Sequence, residues 1–509
     1  MPTKPSELPP ARVVPLPWAV SGAVAFAVVA TLNAGGYRYG AADQAFYIPA
    51  ILHQLDPSLY PRDWAMLGAQ ARYFLVDEIG AALVRASGWP LPVWFAAAQA
   101  VTLAAMYAGA LALGRAVLAS SWALTAWVAV LTLRHRIAKT GANTLEGYFH
   151  PRMLVFGIGM VALAGLLRGR RGWPLALLVA SAALHPTTAA LFLGIGFVLI
   201  VAAEPRWRGP ATAAATVLLA MGGVLPALGV APFDLTAMDP TWRALVATKD
   251  YTFPTTWSAT TWLINLAGPS VLTVTAWARA RDQRLTRYEL GLVAGSLLLV
   301  AGFVLSLPLI AAGVPFAVQL QTSRAFWPVE MLATLYLVWW VIDRPLTRVS
   351  PAAWPRALAV LLVATSVVRG VYVGVFESPE RATLALTLPD DDWTRALTWV
   401  RDHTSADALV LADPGHAWKP GMGTPVRIGA ERDVVLEETK DVAMAMYSRQ
   451  AARHVAATID TLQGFERMSD AAVRQIATST GASVLILTRA FDATPSFTAG
   501  DVRVYLLTD

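Results

Sequence analysis

Apolar runs close to membrane length recur along this chain, and they constrain its fold more than any other feature. The first, VVPLPWAVSGAVAFAVVATL, covers Val13 to Leu32. A helix needs about 20 such residues to cross a bilayer core. The sequence predicts spans near 13–33, 90–114, 121–133, 153–167, 173–186, 187–203, 210–230, 258–278, 289–313, 324–342 and 357–375, about eleven in all. Those at 121–133, 173–186 and 187–203 are short, which is tolerable inside a bundle or where the bilayer thins. Lys4 and Arg12 precede the first run as they would a signal peptide. The run exceeds the ~7–15-residue core of a cleaved signal, so it reads as a retained first span.

Composition agrees. Only 15% of residues are charged and mean hydropathy is +0.50, whereas a soluble domain carries about 25% charged residues. Cysteine is absent, which excludes disulfides and thiolate metal sites. The net charge of +6 does not require a nucleic-acid partner, because the aromatics do not interleave with basic patches. The arginines instead mark connections between spans: Arg168, Arg170 and Arg171; Arg206 and Arg208; Arg279, Arg281, Arg284 and Arg287; Arg344, Arg348 and Arg356. An even number of spans separates each group from the next. All therefore fall on one side, which the positive-inside rule makes cytoplasmic together with the N-terminus. The opposite side receives the connections 34–89, 134–152, 231–257 and 314–323, plus everything after about Phe376. One of these breaks the bias: RHRIAKTGANTLEGYFHPR (134–152) carries Arg134, Arg136, Lys139 and Arg152. Binding a phosphate would explain cations there, since guanidinium and ammonium groups make charge-assisted hydrogen bonds to its oxygens.

Two domains follow: a helical membrane domain, 1–376, with the outer loop 34–89, and a small extracytoplasmic α/β domain, 377–509. In the latter, DDDWTRALTWVRDHT (390–404) predicts a helix capped by Asp391. DALVLAD, RDVVLEE, SVLILTR and VRVYLLT predict strands, and helices are expected around 441–462 and 469–481.

Asp43 leads the candidates for chemistry. It stands in Gly-Ala-Ala-Asp-Gln at the head of the first outer loop. There it serves either as a general base toward an acceptor hydroxyl or as the N-cap of the helix QAFYIPAILHQL. Asp56 and Asp63 read as turn formers, the latter in a local pair with Arg62. His150-Pro151-Arg152 and His185-Pro186 open two spans from the outer side. Each imidazole either binds phosphate, relays a proton or ligates a metal, or simply bonds a helix end beside its proline. Arg324, in QLQTSRAFWP, either snorkels to the interface or faces a phosphate. Walker P-loop, GxGxxG, HExxH and paired CxxC motifs are missing, so ATP-driven transport and zinc hydrolysis have no support.

DQAFYIPAILHQLDPSLYPRDW, EGYFHPRMLVFGIG, SAALHPTTAALF and WTRALTWVRDHTSADALVLADP resemble an uncharacterised group of bacterial membrane proteins related to the GT-C glycosyltransferases. The long first outer loop opening on an acid, the many spans and the terminal domain fit that superfamily. The resemblance implies a bacterial inner-membrane enzyme moving a hexose or pentose from a polyprenyl-phosphate donor to a glycan, lipid or protein acceptor. Asp43 takes the acidic position. His150, Arg152, Arg324 and His185 are the topological choice for the lipid phosphate, with Arg134, Arg136, Lys139 and Asp63 in a second tier. Gln44, not a second acid, follows Asp43, so a divalent metal has no support. A flippase for a lipid-linked substrate and a non-catalytic scaffold are the other readings.

Overall fold

The computed structural model describes residues 16–228, 235–348, 353–377, 382–418 and 423–507. Lys4, Arg12, the first residues of the first expected span, the last residues of the seventh, and 419–422 of the Gly/Pro-rich loop lie outside them. Each of the eleven expected spans overlaps a helix: α1 Leu16–Asn33, α2 Leu91–Val117, α3 Ser121–Val130, α4 Pro151–Leu167, α5 Gly172–Ser181, α6 Pro186–Ala203, α7 Arg208–Ala227, α8 Ala259–Arg281, α9 Arg287–Ala311, α10 Phe326–Val338 and α11 Ala353–Tyr372. Among the described residues five segments are long and apolar enough to cross a membrane: α2, α6, α9, Pro315–Leu346 around α10, and Ala353–Glu377 around α11. Helices α1, α3, α4 and α5 are apolar but shorter.

Contacts divide the chain into two compact units. One holds residues to Tyr37, Ala97–Thr236 and Asp250–Thr383; the other holds Arg38–Ala96, Ala237–Lys249 and Leu384–Asp509. The first outer loop therefore groups with the C-terminal residues rather than with the helices that flank it. In the helical unit, Trp127, Trp327 and Trp339 are buried, and Phe156 stacks on Trp327 at 4.1 Å between α4 and α10. Gly291 and Gly295 let α9 approach α6 closely: a Cβ on Gly295 would stand 2.9 Å from the Ile195 carbonyl oxygen. Small residues four apart are a general device for bringing membrane helices together.

The four basic connections are joined to one another. Arg171 and Arg206 share Glu204, which also accepts from the Tyr288 hydroxyl; Arg344 pairs with Asp282 at 2.8 Å. They thus lie at one end of the helices. Helices α4 and α6 run from that end to His150 and His185, over about 25 Å at 1.5 Å per residue.

The second unit carries a five-stranded sheet of β1 Leu409–Leu411, β2 Asp433–Val434, β3 Val484–Leu487, β4 Phe497–Ala499 and β5 Val502–Leu506, in the order β2-β1-β3-β5-β4. β1 runs parallel to β2 and β3, while β5 is antiparallel to β3 and β4. β3 is buried along its length, as its unbroken VLIL run requires, and Val410, Val484, Ile486 and Val504 pack on Leu397 and Val400 of the helix Asp392–His403. That helix is capped by Asp391, whose carboxylate accepts the Thr394 N–H at 2.7 Å.

Candidate functional site

Two His-Pro pairs open α4 and α6. Proline suits the first helical position because it has no N–H to leave unpaired. The preceding histidine then caps: His150 Nδ1 accepts the Arg152 N–H at 3.2 Å, and His185 Nδ1 accepts the Thr188 N–H at 3.3 Å. With Nδ1 accepting, the neutral ring carries its proton on Nε2 and presents a donor there. The ring centroids are 5.9 Å apart, so two helix N-termini meet. Each such terminus carries roughly half a positive charge.

Cations converge on the same place. The His150 ring and the Arg324 and Arg152 guanidinium groups all act electrostatically on the His185 imidazole. Arg152 is buried and donates to the Gly141 carbonyl at 3.1 Å and to Glu146. Glu146, also buried, accepts twice from Asn143 at 3.1 Å and lies 4.0 Å from Arg134. Arg324 sits half-buried on the tight turn Thr322–Ala325, immediately before α10. The assembly of two imidazole donors, two helix N-termini and two guanidinium groups against one carboxylate is suited to an anion of one or two charges.

The remaining cations of loop 134–152 have other places. Arg136 forks onto both Asp250 oxygens at 3.0 Å. Lys139 is exposed at the turn of the short ladder pairing Arg136 with Asn143, with φ at +51°. His135, which sequence reading passed over, pairs with Glu330 on α10; that hydrogen bond, outweighing partial burial, raises its value.

Asp43 belongs to the other unit. The helix Gln44–Leu55 begins where expected, but the cap does not form: the Asp43 side chain makes no capping hydrogen bond. Its Oδ1 instead accepts from Lys440 Nζ at 2.6 Å. Lys440 lies on the helix Glu438–Met444, is nearly buried, and holds its ammonium over the Phe46 and Trp418 rings at 4.7 and 4.8 Å. No local signal foretells a partner 397 residues away.

The expected Arg62–Asp63 pair is also not made. Asp63 accepts from Arg427 Nε at 2.6 Å and from the Val434 N–H, while Arg62 and Asp63 donate their own N–H groups to Asp433. Arg427 is buried and further engages Asp441 at 2.6 Å and Glu437 at 3.3 Å. Burial raises both of these carboxyls above the usual range. Asp63 is thus a buttress of the sheet-bearing unit. Asp56 forms the turn expected of it, accepting from the Ser58 N–H and hydroxyl. A cavity of about 430 Å³ opens beside Asp413, Asp460, Glu466, Arg467 and Glu438, the last of which stands two residues before Lys440 in sequence. Among the described residues no group of three or more His, Asp or Glu is arranged to hold a metal.

No family model matches the sequence, and no curated protein matches it. Among solved structures, the crystal structure of the Archaeoglobus fulgidus oligosaccharyltransferase in the apo form is similar at 11% identity, over 92% of this chain and 69% of that chain, with a TM-score of 0.48.

Proposed function

We propose that this protein is a GT-C-like glycosyltransferase of a bacterial inner membrane that takes a sugar from a polyprenyl-phosphate donor. The observation that carries the reading is the convergence of His150, His185, Arg152 and Arg324 at the starts of α4, α6 and α10. In this reading the cluster holds the phosphate of the lipid. As the bond between the sugar anomeric carbon and the phosphate oxygen breaks, the leaving phosphate gains a negative charge. Fixed donors and cations aimed at that charge stabilise the transition state. Asp43 accepts the proton of the acceptor hydroxyl while its oxygen bonds the anomeric carbon, a role worth about 10²–10⁴-fold in rate. Lys440 keeps that carboxylate oriented through the 2.6 Å pair. The sequence resemblance to GT-C enzymes supports the same assignment of Asp43, and the positive-inside rule puts the cluster on the extracytoplasmic side.

The test is a panel of polyprenyl-phosphate hexoses and pentoses offered to the purified protein in nanodiscs, with release of polyprenyl phosphate as readout. Wild type should consume at least one donor, and Asp43→Asn should lose turnover while keeping its affinity for farnesyl phosphate. Full turnover in Asp43→Asn removes that residue from the chemistry. Movement of intact donors across a sealed bilayer, without turnover of any, replaces the transferase with a flippase.

A further inference from the structure

Helix α7 begins with little side-chain volume. After Arg208 its next eight residues are Gly209, Pro210 and a run of alanine and threonine to Thr216. Positions 208, 211, 212 and 215 recur at helical spacing and so share one face. Val198, Val201 and Ala202 share a face of α6 for the same reason. The two faces line an open groove of about 450 Å³. Only residues 204–207 join α6 to α7, so the groove lies where the chain turns back.

Its walls and its mouth differ in chemistry. Val198, Val201 and Ala202 are half-buried. The Thr212 hydroxyl donates inside its own helix, to the Arg208 carbonyl at 2.9 Å, so the wall offers no spare donor there. The mouth is cationic. Arg171 and Arg206 share the one buried carboxylate of Glu204, and among the described residues no acid pairs with the exposed Arg208. Trp207 stands beside them, 42% exposed, with the Arg206 guanidinium 5.9 Å from its ring. Tryptophan favours the level of lipid headgroups. The groove begins in the last two turns of α6, a helix long and apolar enough to cross a membrane, and therefore runs from the edge of the hydrocarbon to its surface.

An apolar slot closed by unneutralised guanidinium groups selects its occupant by charge. A free phosphate would gain nothing from the walls, and a neutral lipid nothing from the mouth. Basic pockets between membrane helices suit anionic headgroups. We propose that the groove between the end of α6 and the start of α7 binds one anionic phospholipid, with an acyl chain along the alanine face and the headgroup phosphate on Arg208. The inference is independent of the transferase reading, because it uses neither Asp43 nor the anion cluster. It gives the alanine run a purpose: lipid supplies the packing volume that the first turns of α7 lack.

Native mass spectrometry tests this on the full chain, equilibrated in detergent with equal amounts of phosphatidylglycerol and phosphatidylcholine of identical acyl chains. Wild type should retain one phosphatidylglycerol in preference to phosphatidylcholine. Arg208→Gln should weaken that retention about fivefold, the effect of one cation near an anionic headgroup, and Arg208→Lys should restore most of it. Ala215→Phe fills the groove without changing charge and should abolish it. Arg356→Gln removes an exposed cation on α11 that does not line the groove, and should match wild type. Arg208, Ala215 and Arg356 are all exposed, so these substitutions leave the core alone. Equal retention of the two lipids by wild type, or unchanged retention in Arg208→Gln, would overturn the proposal. Displacement of the lipid by inorganic phosphate would mean a site for a free anion and overturns it. A lipid-free dimer that Ala215→Phe dissociates would mean that a second copy fills the groove, and overturns it too.

Discussion

The buried Arg152–Glu146 pair gives the anion cluster a test in which two changes to one ion pair act in opposite directions. Glu146→Gln keeps the shape and one acceptor oxygen for Asn143 and Arg152 but removes the negative charge. A phosphate bound to the far side of Arg152 would lie about 6 Å from that carboxylate. At an effective dielectric constant near 20 their repulsion is about 3 kcal/mol, and water in an open site reduces it further. Between 1 and 2 kcal/mol remains, so Glu146→Gln should bind farnesyl phosphate about tenfold more tightly, since 1.4 kcal/mol is a factor of ten. Arg152→Met removes an attraction of up to about 4 kcal/mol at contact distance. It also leaves a buried carboxylate unpaired, at about 3–5 kcal/mol of stability. Its affinity should fall more than a hundredfold and its melting temperature should drop. The double variant Glu146→Gln/Arg152→Met separates these effects: stability should largely return, and binding should not. Titration of nanodisc-embedded protein with farnesyl phosphate, alongside intrinsic-fluorescence melting, reads both quantities. If Glu146→Gln binds the probe no better than wild type while remaining folded, the phosphate is not held against Arg152.

Other residues give independent checks. Arg427→Met strands three buried or nearly buried carboxylates, Asp63, Glu437 and Asp441, and should cost about 3–5 kcal/mol; Arg449→Met, which breaks an exposed pair with Asp239, should cost less than about 1 kcal/mol in the same denaturation experiment. Asp77 is buried, and burial raises its carboxyl from 3.8 to about 6. An acid raised in the folded state stabilises most below its unfolded value, and that contribution is lost as pH rises through the folded one. Asp77→Asn should therefore stabilise the protein above pH 6, by up to about 3 kcal/mol, and raise its melting temperature there. It should change little at pH 4, and no gain at pH 7.5 would refute the assignment. Gly295→Leu forces side-chain atoms into the α6 backbone at Ile195 and should lower both stability and phosphate affinity, whereas Gly302→Leu on the same α9, with nothing near its Cβ position, should leave both unchanged in the same melting and titration assays.

The helices are legible because hydropathy reports a one-dimensional property. A run such as FVLIVAA on α6 needs no partner to declare itself, and a local cap such as Asp391 sits within three residues of its donor. The His150 and His185 caps are equally readable, since proline at the next position marks a helix start. Arg152 and Arg324 can be nominated from topology, because charge bias and helix count put them at one end of the bundle. What sequence does not convey is pairing across the chain. Asp43 reads as a cap because Asp is favoured there, yet tertiary contact with Lys440 wins over the local hydrogen bond. Asp63 reads as paired with its neighbour Arg62, yet Arg427 takes it. Electrostatic partners are chosen by distance in space, and no periodicity in the sequence encodes that distance. The grouping of the first outer loop with the C-terminal residues is hidden for the same reason.

Both proposed functional charges are paired within their own units: Asp43 with Lys440, and Arg152 with Glu146. The pairing has a physical cause. A carboxylate or guanidinium withdrawn from water without a counter-charge costs several kcal/mol, so a site built for charged substrates must neutralise itself when empty. Each substrate then competes with an internal ion, and the affinity it shows is the difference between two similar attractions rather than the whole of either. Such a site favours the step in which charge changes. Under the proposed function, the phosphate would enter with one negative charge as a sugar diester and leave with up to two as a monoester. Arg152 and Arg324 gain from that increase while the repulsion from Glu146 grows with it. The two imidazole donors and the helix N-termini add attraction with no ionised group of their own to desolvate. In the proposed transferase the His-Pro caps would stand where the reaction develops charge, and the Glu146 carboxylate would keep the product phosphate from binding so tightly that it fails to leave.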